Sequence, residues 1–247
     1  MWVSRQLGEL YSRLYVTFGQ DLFTFSAAKN SLSVDENTLS VAFSKLHSKR
    51  ALLVFERGKP RLYRLLDPEN FVYLASGVVR NIDRVSSERY VKLILESFKA
   101  LLRMVDLVSF AVYGSVARGS ASRWSDVDIL LVSDSFKGSL GSRMDELCSV
   151  EEMVEGELSW LRKHGVYTSL NFYPLRREEA RRLPLLFLDM TEDVAILYDR
   201  DSFIETLLLE LKRRLLEQGA RKVVVDGGRW YWDLKPGHRF GERVESA

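Results

Sequence analysis

Cysteine is almost missing from this sequence: its 247 residues include one, Cys148. A lone thiol excludes an internal disulfide framework and suits a reducing compartment, so the fold must rest on its hydrophobic core. Cys148 falls in a helix-like stretch and is read as inert. Long apolar runs are missing as well. No stretch reaches the roughly 18 residues a membrane helix needs, and no basic start leads into an apolar leader, so the expectation is a soluble, cytoplasmic protein with no membrane partner. A dominant charge is also absent. The 36 Lys and Arg nearly balance the 34 Asp and Glu, leaving +2, so any surface for a polyanion must be local. Histidine is scarce, and His47, His164 and His238 show no metal-ligand spacing, which makes them structural or exposed.

What is present is a core. At 46% hydrophobic, the chain can bury one large domain or two modest ones, and its charge pattern favours two. Residues 1–80 carry 11 Lys and Arg against 7 Asp and Glu, so the basic surplus lies at the N-terminal end. Leu7, Leu10, Tyr11, Leu14 and Tyr15 repeat at three and four residues, predicting a helix over 4–16. A short helix over 26–32 follows, then one over 37–48 from Leu39, Ala42, Phe43 and Leu46, with Asp35 or Asn37 as cap. Two apolar runs around Arg57-Gly58-Lys59-Pro60 then read as a β-hairpin. Three helices and a two-stranded wing resemble a winged helix-turn-helix over 1–66. That resemblance implies binding to DNA or RNA through Lys45, Lys49 and Arg50 on the third helix and Arg57 and Lys59 on the wing, or docking to protein.

Residues 67–85 read as a connection, and 86–247 as the second domain. The pattern there predicts a helix over 86–104 capped by Ser86 or Ser87, strands over 107–113 and 126–132, and a long helix over 144–163. Then come a strand over 166–173 ended by Pro174, a short helix over 178–182, a strand over 194–198 and a helix over 203–218. The tail is a hairpin turning at Asp226-Gly227-Gly228. The fold class is α+β, with a mixed sheet flanked by helices.

Within this frame, VYGSVARGSASRWSDVDILLV sets two acids one residue apart at the start of an apolar strand. Alternate strand residues share a face, so Asp126 and Asp128 repel each other unless a cation lies between them. The string Gly114-Ser115-Val116-Ala117-Arg118-Gly119, followed after five residues by Ser125-Asp126-Val127-Asp128, resembles the nucleotidyltransferase signature of the DNA polymerase β superfamily. Its minimal nucleotidyltransferase branch is the nearest likeness. The resemblance implies transfer of a nucleoside monophosphate from an NTP, ATP first among them, with Mg²⁺ or Mn²⁺ on Asp126 and Asp128. Gly114, Ser115, Arg118 and Ser125 would contact the nucleotide, although Ser125 also suits a turn cap. The implied acceptors are a protein side chain, as in antitoxins that adenylylate a partner toxin, an RNA 3′ end, or an antibiotic hydroxyl.

One departure stands out. The family presents a third carboxylate from a later strand, but Tyr167, Ser169, Asn171 and Tyr173 share a face here and none is acidic. Ser169 or Asn171 would take that place. Glu178 and Glu179 could fold back instead, but pairing with Arg176, Arg177, Arg181 and Arg182 is the simpler reading. Trp230, Trp232, Asp233 and Lys235 read as packing residues before a base-stacking cluster. The missing acid leaves a second reading: a DNA-bound regulator whose nucleotidyltransferase domain binds nucleotide without turnover.

Overall fold

The protein is represented by a computed structural model that describes residues 3–225 and 230–237. Three capped helices open the chain. In α1 (Arg5–Phe18), α2 (Phe25–Ser31) and α3 (Glu36–Ser48), the side chains of Ser4, Thr24 and Asp35 accept from the N–H of Leu7, Ala27 and Thr38. Each cap satisfies a donor that a helix start would otherwise leave unpaired. The helices pack Leu7, Leu14, Leu39, Phe43 and Leu46 against Leu52 and Leu65 of an antiparallel hairpin, β1 (Leu52–Glu56) with β2 (Leu62–Leu65).

The hairpin is not a free wing. Successive side chains of a strand face opposite ways. Leu52 lies in the N-terminal core, while Leu53 and Phe55 lie in the main core. A buried ion pair reinforces this junction. Arg64, 2% exposed, donates to both oxygens of Glu157 and lies over the Trp160 ring, and Glu157 also accepts from Lys92 at 2.8 Å. Removing one partner of such a pair typically costs about 3–5 kcal/mol, because the other charge is left buried.

The expected connection over 67–85 contains a helix, α4 (Pro68–Ser76). Asp67 caps it, Pro68 begins it, and Gly77 ends it in the left-handed conformation, so residues that look like breaks in the sequence are in fact its two ends. A 3₁₀ turn over Glu88–Tyr90 leads into α5 (Val91–Met104). Ser86 and Ser87 make no side-chain cap there. Their N–H groups instead donate to the carbonyls of Ala117 and Val116.

A four-stranded mixed sheet in the order β5-β4-β3-β6 centres the second part. Strands β3 (Leu107–Tyr113) and β4 (Val127–Ser133) are antiparallel, β5 (Leu170–Leu175) runs parallel to β4, and β6 (Val194–Asp199) runs antiparallel to β3. Between β3 and β4 lies α6 (Gly114–Arg118). The expected helix over 144–163 is two helices, α7 (Leu140–Met153) and α8 (Glu155–Lys163), divided at the buried Val154. Pro174 does not end its strand; it sits inside β5, where the strand's place at the sheet edge tolerates a missing donor. With α5, α7 and α8 these strands bury Phe110, Val112, Ile129 and Leu131 on one face. The other face, with Val108, Ala111, Leu130 and Val132, is covered by α9 (Arg177–Ala180), α10 (Leu186–Met190) and α11 (Phe203–Glu217).

A second antiparallel hairpin, β7 (Arg221–Val224) with β8 (Trp230–Asp233), follows; its expected turn at 226–228 and His238 lie outside the described residues. Among the described residues no helix is long and apolar enough to cross a membrane.

Candidate active site

The site forms where β3 ends and β4 and β5 begin. Antiparallel register places Tyr113 opposite Asp128, so the turn that leaves β3 folds directly over that acid. Gly114 makes the turn with φ of +69°, and a Cβ built there would fall 2.2 Å from Asp128 Oδ2 and 3.1 Å from its Cγ. Glycine is therefore required both by its backbone angle and by the close approach. Gly114→Ala is expected to cost about 1–2 kcal/mol from the left-handed conformation alone and to push Asp128 out of place. Thermal melting would register the first effect, and a titration with MgATP would register the second as lost affinity.

The two acids have different surroundings. Asp126 is exposed, and its Oδ1 accepts from Ser169 Oγ at 2.8 Å and from Ser169 N at 3.3 Å. Asp128 is half-buried and accepts from Asn171 Nδ2 at 2.8 Å, as their register across the parallel pair requires. Burial pushes the Asp128 carboxyl above the usual range, the Asn171 hydrogen bond lowers it, Asp126 raises it, and Arg118 draws it down. Tyr113 is pushed up by burial first, then by Asp128 and Tyr173. Among the described residues no group of three or more His, Cys, Asp or Glu is placed to hold a metal ion. Two carboxylates on one face still fit a hard divalent cation, which usually takes one or two protein carboxylates and completes its shell with substrate phosphates and water.

Of the other expected nucleotide contacts, Ser115 is half-buried in the first turn of α6, and Arg118 is exposed at its last residue. Ser125 accepts from Ser122 N at 2.9 Å within its own loop, the turn-cap role also expected of it. Glu178 and Glu179 follow the far end of β5, roughly 15 Å or more along the chain from Asn171 at strand rise, so they do not complete the acid pair. Glu179 is clamped by Arg143 at 2.6 and 2.8 Å, which holds its carboxyl down at about 2, and Arg176 pairs with it as well. Trp232 donates to Asp189 at 3.1 Å while packed against the C-terminal core, and the Lys222 ammonium lies 4.4 Å from the Trp230 ring.

The cations expected to face nucleic acid are divided. Lys45 and Lys59 are exposed, and Lys49 is half-buried at the end of α3. Arg50 turns inward at φ of +55°, meeting Glu88 at 2.9 Å and donating to the Asp83 carbonyl at 2.9 Å, which removes it from any outer surface. Arg57 is 75% exposed and approaches Glu88 at 3.9 Å. A feature not anticipated stands beside the acids. Trp124, 72% exposed, stacks on Tyr167, 45% exposed, at 4.4 Å and 9°. Their neighbours in sequence tie the pair down, because Tyr167 N donates to the Arg123 carbonyl at 2.7 Å and Arg123 pairs with Glu56.

Residues 91–181 match the model of a family described as nucleotidyltransferase domain, a span that holds the Gly-Ser turn, both acids, Ser169 and Asn171. Over this span the chain matches a nucleotidyltransferase domain. A provisionally named protein adenylyltransferase of Methanocaldococcus jannaschii is 29% identical over 107 residues, covering 43% of this chain and 69% of that protein. A solved toxin-antitoxin with AMP-PNP overlaps 51% of this chain and 92% of its own, at 15% identity and a TM-score of 0.33.

Proposed function

We propose that this nucleotidyltransferase moves AMP from ATP to a hydroxyl on a protein partner, with Mg²⁺ or Mn²⁺ held by Asp126 and Asp128. The closing of the Gly114 turn onto Asp128, at a distance only glycine allows, carries the reading, because it brings a phosphate-binding turn and a cation-binding acid together. In the reaction the acceptor oxygen bonds to the α-phosphorus as the bond to pyrophosphate breaks, and the hydroxyl proton is released. A bound divalent cation supplies charge neutralisation at the phosphate oxygens. Ser115 and the N–H groups after Gly114 orient the β- and γ-phosphates, and Arg118 offers them a guanidinium. In-line displacement puts the entering and leaving groups on opposite sides of phosphorus. With the leaving group over α6, the acceptor enters over β5, where Trp124 and Tyr167 stand. The protein class of the acceptor rests on the name of the archaeal relative.

A second reading, nucleotide binding without turnover, is favoured by one observation: a neutral amide, Asn171, occupies the place opposite Asp128. The purified full chain incubated with α-labelled and, separately, γ-labelled ATP, with cell-extract proteins, with oligoribonucleotides and with neither, decides between them. Transfer of α-label alone to a protein band is the expected result. Label on RNA would replace the acceptor class, and MgATP binding without incorporation under any condition would establish the sensor.

A further inference from the structure

Between the β1–β2 hairpin and α6 lies a polar cavity of about 380 Å³, lined by Arg57, Ser86, Ser87, Arg89, Arg118 and Gly119 and floored by Glu88. Its three guanidiniums come from separate segments, and one belongs to the N-terminal unit. Among the described residues Arg89 and Arg118 make no ion pair, and Arg57 has only the 3.9 Å approach to Glu88. Glu88 does not neutralise them. It is 5% exposed, and its oxygens accept from Val54 N at 2.7 Å and meet His47 and Arg50 at 2.9 Å, so its charge is largely met by groups other than the three cavity arginines. A partly enclosed cavity with three such cations favours an anion with several oxygens, since guanidinium pairs with phosphate through directed, charge-assisted hydrogen bonds.

We propose that this cavity extends the triphosphate site, with Arg57 of the N-terminal hairpin and Arg89 binding the terminal phosphates of the NTP. The inference rests on the nucleotidyl-transfer reading above and adds residues outside its signature. Arg118 connects the two places, because it lines the cavity and ends the short helix that starts at the Gly114 turn. Helix α6, five residues long, spans about 7 Å, so its far end lies close to phosphates held at its start. The geometry is fixed by the backbone. Val54 N is held by Glu88, and the neighbouring Ser86 and Ser87 N–H groups donate to Ala117 and Val116 of α6 at 3.3 and 3.1 Å. Residues 86–88 thus tie the hairpin to α6. The N-terminal unit acts here as a wall of the nucleotide pocket.

The test is calorimetric titration of the full chain with MgATP, MgADP, MgAMP and magnesium tripolyphosphate. Wild type is compared with Arg57→Ala, Arg57→Lys, Arg89→Ala and the Asp126→Asn/Asp128→Asn pair, each checked by thermal melting. Wild type should prefer ATP to ADP and AMP. Arg57→Ala and Arg89→Ala should each weaken ATP by about tenfold or more, leave AMP unchanged and reduce the ATP-over-ADP preference, with Arg57→Lys between. Tripolyphosphate should compete with ATP in wild type and far less in Arg57→Ala. If ATP binds wild type through the acid pair but both alanine variants keep its affinity and preference, the inference is overturned while the transfer reading stands. If wild type binds no magnesium nucleotide, both are overturned.

Discussion

Replacing Asp126 and Asp128 together by asparagine is expected to remove magnesium-dependent nucleotide binding and to lower transfer by about three orders of magnitude or more, with the fold intact. Neither side chain belongs to the core: Asp126 is exposed and Asp128 is half-buried. Their partners are hydrogen-bond donors, Ser169 and Asn171, which an asparagine oxygen can still satisfy. What the substitution removes is two negative charges facing the same space. That loss falls on cation binding, because a neutral amide oxygen is a much poorer ligand for Mg²⁺ than a carboxylate. Stability should move the other way. Burial and the neighbouring Asp126 both disfavour the ionised form of Asp128, so at neutral pH its charge costs the metal-free protein stability, and Asp128→Asn alone should raise Tm in the presence of chelator. Calorimetry with MgATP and melting with and without chelator measure the two effects. Wild-type affinity for MgATP in the double variant would remove the acids from the cation site.

The same residues explain why this part of the molecule was legible from sequence. Strand, turn, short helix, loop and second strand follow one another between Leu107 and Ser133, so spacing along the chain is also geometry in space. The bounds of strand β3 can be read to the residue because a continuous apolar run ends in a Gly-Ser turn. Contacts between distant segments left no such trace. Trp124 and Tyr167 stack across 43 positions, and no local pattern pairs them. Arg50 ends a basic helix terminus that reads as solvated, yet it is turned onto Glu88, 38 positions on. Glu179 does pair with Arg176, as its sequence neighbours suggest, but Arg143, on a helix packed against β5, clamps it most directly and leaves no local trace. Helix α4 is a different failure. Asp67, Pro68 and Gly77 are the cap, first residue and stop of a helix, but in so short a segment they resemble loop punctuation.

Asn171→Asp is expected to raise the transfer rate by about 10²–10⁴-fold, the usual contribution of a positioned base, if the protein turns over slowly for want of a third acid. The register decides the position. Asn171 is paired with Asp128 and donates to it at 2.8 Å, so an aspartate there would join the pair from the side on which the acceptor enters. Ser169 is the weaker choice, because it precedes β5 and already donates to Asp126 through both its hydroxyl and its N–H. Three carboxylates in one space repel each other, so Asn171→Asp should melt at a lower temperature than wild type in chelator and regain that loss when Mg²⁺ is added. This melting signature separates a misplaced residue from an irrelevant one. If Tm falls in chelator and recovers with Mg²⁺ while transfer stays unchanged, the aspartate has reached the cation but the reaction does not lack a base. If neither Tm nor rate responds, the side chain at 171 does not face the acids, and the reading of Asn171 as the replaced acid fails.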